Sequence, residues 1–267
     1  MSSQTATITA ARPGGGLLES ARARAPLGAR ETRLSLRNPE VFIPNLILPV
    51  VLFFIFVGSL SGFAQAHGMS NYRGFFLPLS ILFAVSWGSA GLNMAADIQS
   101  GYFDKLLATP VSRVGLLVGA LSADLVRVTA QGLLTATVAM AVGTEIATGV
   151  LGAVVMVLVA SVFGLAFSAL GFSVALRTAD PQATKSLFDF VLPLFLVTTS
   201  FAPMETLSGW FATAAKLNPV TYVFRGLRSL TLTGWDAGEI GIAVATAGGL
   251  AAGALALAFA SLRARVR

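Results

Sequence analysis

Apolar residues in this chain come in long continuous runs, not in alternation with polar ones. A helix needs about 20 mostly apolar residues to cross a bilayer. Six stretches read as spans: Val41–Leu60, Phe75–Ala96, Val114–Val142, Val150–Leu176, Leu187–Phe201 and Ile240–Leu262. The third is longer than a crossing needs, so it is expected to tilt or to project beyond the bilayer. The fifth is short. A transmembrane barrel would show segments of roughly ten residues with alternating polarity, which is not the pattern here. In lipid every backbone polar group must be satisfied within the protein, which leaves helices as the solution. The pattern therefore predicts an all-α integral membrane fold with six transmembrane helices.

Prolines mark the first and fifth predicted spans, Pro44 and Pro49 in the first and Pro193 in the fifth. Each removes a backbone hydrogen bond and invites a kink. Small residues recur every fourth position, at Gly241, Ala245, Gly249 and Gly253 in the sixth span and at Ala160, Gly164 and Ser168 in the fourth. That spacing lets helix backbones approach closely, within the subunit or between subunits; packing within the subunit is the expectation.

More than thirty residues separate the fifth and sixth spans, and they form neither a simple loop nor a full crossing. Pro203 breaks the fifth helix, and Asn218-Pro219 is a helix start, with Asn as cap and Pro in the first turn. Val220, Val223, Phe224, Leu227 and Leu230 then make an apolar stripe, with Arg225 and Arg228 off it. Two readings stand: short re-entrant extracellular helices dipping into the outer leaflet before the last span, or a helical hairpin on the outer surface. Before the first span, Arg30, Arg33 and Arg37 share one helical face and Leu27 and Leu34 lie on another. This suits an amphipathic helix on the cytoplasmic interface, or a basic flank that only sets topology. The expected organisation is a disordered tail over 1–16, the amphipathic segment over 17–40 and a transmembrane domain over 41–267.

Composition agrees with lipid as the solvent. Hydrophobic residues make up 55% and charged residues 11%, against about 25% charged in soluble domains. The chain is too short to hide so much apolar surface in one core. The net charge of +6 raises the question of nucleic acid, but the positions of the basic residues answer it. With the N-terminus placed inside, thirteen fall on the cytoplasmic side, namely Arg12, Arg22, Arg24, Arg30, Arg33, Arg37, Lys105, Arg113, Arg177, Lys185, Arg263, Arg265 and Arg267. Four fall outside: Arg73, Lys216, Arg225 and Arg228. The excess of inside charge favours both termini in the cytoplasm, hence an even number of spans. The first 16 residues lack the apolar region of a cleavable signal.

Candidate chemistry is sparse. There are no cysteines and one histidine, His67, in a short outer loop. The usual zinc sites need more ligands than that, and thiol chemistry is excluded. None of Lys105, Lys185 and Lys216 sits in a phosphate-binding GxxxxGK[ST] loop, and the chain ends five residues after its last span. The chain is thus not expected to be an enzyme or to hold a cofactor; if ATP drives it, another polypeptide supplies the nucleotide site. Asp124, Arg127 and Gln131 share a face of the third span. A charge at membrane depth costs about 2.5–3.5 kcal/mol on insertion scales, so such residues pair or face a wet interior. The strip reads either as the lining of a pathway or packing interface, or as a self-satisfied pair that orients the helix.

The segment Asn93–Leu134, NMAADIQSGYFDKLLATPVSRVGLLVGALSADLVRVTAQGLL, resembles the ABC-2 type permeases, specifically the branch of actinobacterial daunorubicin-resistance permeases. The matching residues are Asp97, Gly101, Leu106, Leu107, Thr109, Pro110, Ser112 and Arg113, with Asn218-Pro219, a following aromatic and Arg225 in support. The resemblance implies a homodimer or heterodimer of permeases in the bacterial plasma membrane, with two copies of a separate ATPase that holds ATP and Mg. The loop Asp97–Arg113, including Asp104 and Lys105, would carry the helix that couples to the ATPase, and the Leu27–Arg37 helix would touch it as well. Without the resemblance that loop is equally an ordinary turn between spans. Spans one and five would line the dimer seam, and the re-entrant region would close its outer end. The implied function is ATP-driven export of a hydrophobic or amphiphilic substrate, a drug or a lipid. The alternative is an ion-coupled secondary transporter or channel without an ATPase, for which Asp124 would be the residue of interest.

Overall fold

A computed structural model describes residues 39–66, 68, 71–86, 90–107, 113–189, 191–199 and 204–265. Among these residues every regular element is helical. In chain order they are α1 (Pro39–Ala66), α2 (Tyr72–Val85), α3 (Ala90–Gln99), α4 (Tyr102–Leu107), α5 (Arg113–Ala141) and α6 (Gly149–Thr178). There follow α7 (Pro181–Asp189), α8 (Val191–Leu196), a 3₁₀ turn (Met204–Thr206), α9 (Gly209–Leu217), α10 (Pro219–Arg228), a π-helical turn (Ser229–Thr233) and α11 (Ala237–Arg265). The tail over 1–16, the basic segment with Arg30, Arg33 and Arg37, and His67 lie outside the described residues.

Among the described residues, three helices are long and apolar enough to cross a membrane: Val114–Ala141, Gly149–Thr178 and Ala237–Arg265. They coincide closely with the third, fourth and sixth predicted spans. α1 runs without interruption through Pro44 and Pro49, so neither proline breaks it. The second predicted span holds two helices, α2 and α3, with residues 87–89 between them outside the described residues. α2 ends at Val85, with the Ser86 hydroxyl folded back onto Leu82 O at 2.7 Å, and α3 starts only at Ala90. The fifth departs most from expectation: its apolar run falls on the end of α7 and on α8, with residue 190 between them outside the described residues, and the backbone bends at Val197–Thr199. Apolar content reports that a segment is buried in something greasy; it does not report whether its backbone is continuous.

α6 is the central stave. Its apolar residues run all round and most are buried, the signature of a helix enclosed by others. One core gathers α2, α5, α6, α8, α10 and α11 around aromatic rings. Phe195 of α8 is its pivot, edge-on to Phe83 at 5.8 Å, Phe163 at 6.1 Å and Phe224 at 5.7 Å between ring centroids. A second core joins α3, α4, α5, α6 and α11 through Phe103, Phe172, Leu117 and Leu262. Opposite faces of α5 and α6 carry exposed Val118, Val126, Leu133, Leu151, Val154 and Leu158, a surface suited to lipid.

Close approach depends on small residues, as the four-residue spacing predicts for α6, where Ala160, Gly164 and Ser168 are all buried. In α11 the expectation of packing within the subunit is overturned. Gly241, Ala245, Gly249 and Gly253 are exposed, and the three glycines have no neighbour within 4 Å of an added Cβ. The face that packs is Ala243, Ala247, Ala251, Ala254 and Ala258. In a helix built mainly of Ala and Gly, several faces satisfy the same spacing rule, so spacing alone does not choose among them. The tightest crossing is of α3 on α6, where a Cβ on Gly91 would collide with the backbone of Gly171. Gly91→Leu is expected to lower stability by about 1–3 kcal/mol through overpacking. Gly249→Leu, facing open space, should stay within about 0.5 kcal/mol of the parent; thermal unfolding of the purified chain in mild detergent compares the two.

Candidate functional site

Polar and charged side chains gather at three levels of the bundle. At the α4 end, the chain reverses after α3 at Gly101, whose φ of +71° is a conformation glycine adopts without steric cost. The turn is closed by Ser100 N–H to Ala96 O at 2.9 Å and Gly101 N–H to Ile98 O at 3.1 Å. The reversal drives Phe103 into the second core, where it is 1% exposed, and leaves Lys105 outside. Arg265 ties this corner together: Nη1 donates to Leu176 O at 2.8 Å, at the last turn of α6, and the guanidinium lies 6.0 Å from the Phe103 ring centroid. Alongside, Arg177 Nε donates to Ser261 Oγ at 2.8 Å, and Ser261 and Ser173 share a hydrogen bond of 2.7 Å. Of the residues predicted here, Asp97 is half-buried near the end of α3, Asp104, Leu106 and Leu107 lie on α4, and Arg113 opens α5. Thr109 and Pro110 fall outside the described residues.

The middle level is a polar seam between α5 and α6. Asp124 Oδ1 accepts from Arg127 Nε at 2.7 Å, and Asp124 Oδ2 accepts from Ser168 Oγ. Arg127 Nη1 donates to Gln131 Oε1 at 3.1 Å. Farther along the same interface Thr129 Oγ1 and Ser161 Oγ meet at 2.9 Å. Asp124 and Gln131 are buried. Desolvation of a carboxylate is costly unless partners replace water, and here Arg127 and Ser168, one from each helix, do so. The seam fixes how α5 is rotated and raised against α6.

The third level surrounds α10. Asn218 caps it in both directions: its Oδ1 accepts from Val220 N–H at 3.0 Å, while its Nδ2 donates to Leu194 O and Val197 O at 2.7 Å each. Pro219 takes the first helical position. Arg225 pairs with Glu239 of α11 at the surface. Arg228, expected off the apolar stripe, is buried. Its Nη1 donates to Thr199 O, its Nε to Phe75 O at 3.4 Å, and its guanidinium sits 3.6 Å from the Phe75 ring centroid. A planar cation can be enclosed when carbonyls take its protons and an aromatic face covers it. Asn71 does similar work nearby. It caps α2 by accepting from Gly74 N–H at 3.0 Å and donates to Glu145 O at 2.8 Å and Thr231 O at 3.4 Å. The carbonyls of the π turn are taken up by the α5–α6 connection: Ala147 N–H reaches Thr231 O, and Thr148 reaches Leu230 O through both N–H and Oγ1.

Sequence reasoning missed Phe103, Ser168, Asn71, Arg228 as a buried group, and Arg265 as a clamp. Phe103 carried a usable signal, an aromatic beside a glycine turn within a charged loop. Ser168 and Asn71 carried none, because their partners lie 44 and 74 or more residues away. Among the described residues there is no group of three or more His, Asp or Glu positioned to hold a metal ion.

Among the described residues, long apolar helices able to cross a membrane, cross-tied by buried polar groups, define an all-helical membrane protein. The family model for ABC-2 type transporters matches residues 26–232, and the chain belongs to that family. It is 24% identical over 203 residues to the probable doxorubicin resistance ABC transporter permease protein DrrC of Mycobacterium tuberculosis, covering 74% of this chain and 72% of that protein. The same similarity holds for the DrrC proteins of strains CDC 1551 and H37Rv.

The buried pair makes a definite prediction. Asp124→Ala leaves Arg127 enclosed without its carboxylate and should cost about 3–5 kcal/mol, whereas Asp124→Leu combined with Arg127→Leu should recover most of that loss. Denaturant titrations of the two variants against the parent test the difference; a double variant as unstable as the single one would show that the seam contributes more than mutual neutralisation.

Proposed function

We propose that the chain is the transmembrane permease subunit of an ATP-driven exporter, powered by a separate ATPase. The observation that carries this reading is α4: a helix that follows the Gly101 turn, with Phe103 buried in the second core beside Arg265 and Lys105 exposed. A helix anchored through Phe103 would pass a push from a docked partner into α3, α5, α6 and α11. Family membership supports the same assignment. In this reading the Asp97–Arg113 region, with Gly101, Asp104, Lys105, Leu106, Leu107, Thr109, Pro110 and Arg113, docks on the ATPase, helped by the helix bearing Arg30, Arg33 and Arg37.

The complex contains two permease chains, alike or different, and two ATPase subunits that bind ATP and Mg; the permease itself holds no cofactor and is not an enzyme. Both termini and α4 face the cytoplasm, with the chain crossing the plasma membrane six times. α1, α2 continued by α3, α5, α6, α7 continued by α8, and α11 are the crossings, and α9 and α10 are the re-entrant elements at the outer face around Asn218, Pro219 and Arg225. The transport domain begins near residue 41, after the tail over 1–16 and the interface segment over 17–40. The cargo is hydrophobic or amphiphilic, a drug or a lipid; the named activity of the mycobacterial relatives supports a lipophilic drug.

The test is purification of the tagged chain from native membranes in gentle detergent, with identification of co-purifying proteins and an ATPase assay. A stoichiometric ABC-type ATPase with hydrolysis is expected. A chain that purifies alone and inactive, and that binds no such ATPase when co-expressed with candidates, would overturn the reading in favour of an ion-coupled transporter. In the reconstituted complex, Leu106→Asp with Leu107→Asp should reduce ATP-dependent transport of a doxorubicin probe at least about tenfold while membrane insertion is unchanged, because charges would replace the apolar side chains expected to anchor the coupling helix.

A further inference from the structure

α6 and α11 are both long and apolar enough to cross a membrane, and their last turns meet at one corner of the bundle. At about 1.5 Å per residue each helix is roughly 45 Å long, close to the full thickness of a bilayer with its headgroups. The corner where they end therefore lies in the headgroup layer. It holds two guanidinium groups. Arg177 of α6 donates from Nε to Ser261 Oγ of α11 at 2.8 Å, and Arg265 of α11 donates from Nη1 to Leu176 O of α6 at 2.8 Å. Each arginine thus crosses to the other helix. Ser261 lies one turn before Arg265, and Leu176 adjoins Arg177, which brings the two side chains over a single seam.

Neither charge is neutralised by a carboxylate among the described residues, where the ion pairs are Arg127 with Asp124 and Arg225 with Glu239. Asp180, the acid nearest to Arg177 in the chain, instead accepts from Gln182 N–H at 2.8 Å at the start of α7. The groups that hold the two arginines are a hydroxyl and a carbonyl, both neutral. Arg263 and Lys105 are exposed and add positive charge at the same end. Like charges drawn over one seam repel, and each guanidinium has further N–H donors beyond the one it uses here. The seam is also open to lipid: Leu257, one turn before Ser261, is 47% exposed, and Ala256 and Ala260 are exposed beside it. Hydrocarbon reaches the corner from the bilayer side and water from the other.

We propose that Arg177 and Arg265 bind the phosphate of an anionic phospholipid in the leaflet where α6 and α11 end. A guanidinium presents N–H donors in a planar fork that matches two oxygens of a phosphate. Two such groups over one seam suit a phosphodiester whose headgroup carries no positive charge; a zwitterionic lipid brings its ammonium into the same positive field. The exposed flank at Leu257 and Ala260 takes the acyl chains. Arg265 also lies beside Phe103 of α4, so a bound lipid braces the corner from which α4 leaves. The inference needs α6 and α11 to cross the membrane and does not depend on an ATPase or on the direction of transport.

The test is native mass spectrometry of the full chain, purified in non-ionic detergent and titrated with phosphatidylglycerol or with phosphatidylcholine of the same acyl chains. The parent should bind phosphatidylglycerol at least about tenfold more tightly than phosphatidylcholine. Arg177→Gln and Arg265→Gln should each reduce that preference about three- to fivefold, and the double variant should leave less than about twofold of it. Glutamine keeps a side-chain N–H donor for Ser261 Oγ or Leu176 O, so the helix contacts survive the change. If the double variant does not give a monodisperse protein, the two single variants decide under the same criteria. Arg263→Gln, on another side of the same turn, should stay within about twofold of the parent. No preference in the parent would overturn the proposal, and so would an equal loss in Arg263→Gln and Arg177→Gln, which would mean a diffuse basic surface. Inorganic phosphate should not displace the lipid; displacement by phosphate alone would assign the corner to a soluble anion instead. A double variant that binds phosphatidylglycerol like the parent but loses an ATPase that co-purifies with the parent would assign the corner to that protein and overturn the proposal as well. The lipid titrations use no ATPase, so a chain that purifies without one removes the exporter reading and leaves the lipid result standing or falling by itself.

Discussion

A backbone in hydrocarbon has nowhere to place an unpaired carbonyl, and the cost of leaving one is several kcal/mol. Long helices meet the constraint internally, and α5, α6 and α11 do so with little outside help. Where a helix ends or changes register, as after Leu196, at the start of α10 and at the π turn Ser229–Thr233, the ladder needs outside partners, and the structure answers with side-chain donors from other elements. Asn71, Asn218, Thr148 and Arg228 make most of the long-range side-chain bonds at that end. Broken helices are tolerated in this chain because these side chains stand in for water.

Against that constraint the two ends of the bundle are built differently. The α4 end is closed by packing, with Phe103 enclosed in an aliphatic core and the cations Arg177 and Arg265 bonded to groups at the cytoplasmic-side termini of the proposed topology. The α10 end is closed by directional bonds to carbonyls. Apolar contacts slide with little penalty at intermediate positions, whereas hydrogen bonds are made or lost. Under the proposed docking of an ATPase at α4, that division would make transmission at one end compliant and the contacts at the other end all-or-none.

Much of this was legible in the sequence, for reasons that can be named. α5, α6 and α11 were readable because each is a continuous apolar run bounded by charge or glycine, and α10 because Asn-Pro fixes a helix start that the following stripe extends. The pairing of Asp124 with Arg127 needed only helical spacing. The end of α2 at Val85 and the bend after Leu196 were not readable, since apolar content is the same for a bent backbone as for a straight one. Nor was the burial of Arg228, which depends on Phe75 and Thr199, far away in the chain. The packing face of α11 stayed ambiguous because alanine and glycine populate nearly every side of it. Comparison with relatives settled the family, which spacing and composition alone had left between an exporter subunit and an ion-coupled transporter.

The order of elements along the chain has a bearing on biosynthesis. α6 emerges from the ribosome well before α11, yet Arg177 and the Leu176 carbonyl at its end find their partners, Ser261 and Arg265, only in the last turns of α11. The Ala face of α11 likewise covers a flank of the core that has waited since α6 was made. Until α11 is inserted, the central stave carries an exposed groove, and the guanidinium at its base lacks the hydroxyl it bonds in the finished bundle. Insertion of α11 is therefore the step that seals the bundle, and a nascent chain stalled before residue 261 would present to the membrane quality-control machinery a feature that the sealed bundle lacks.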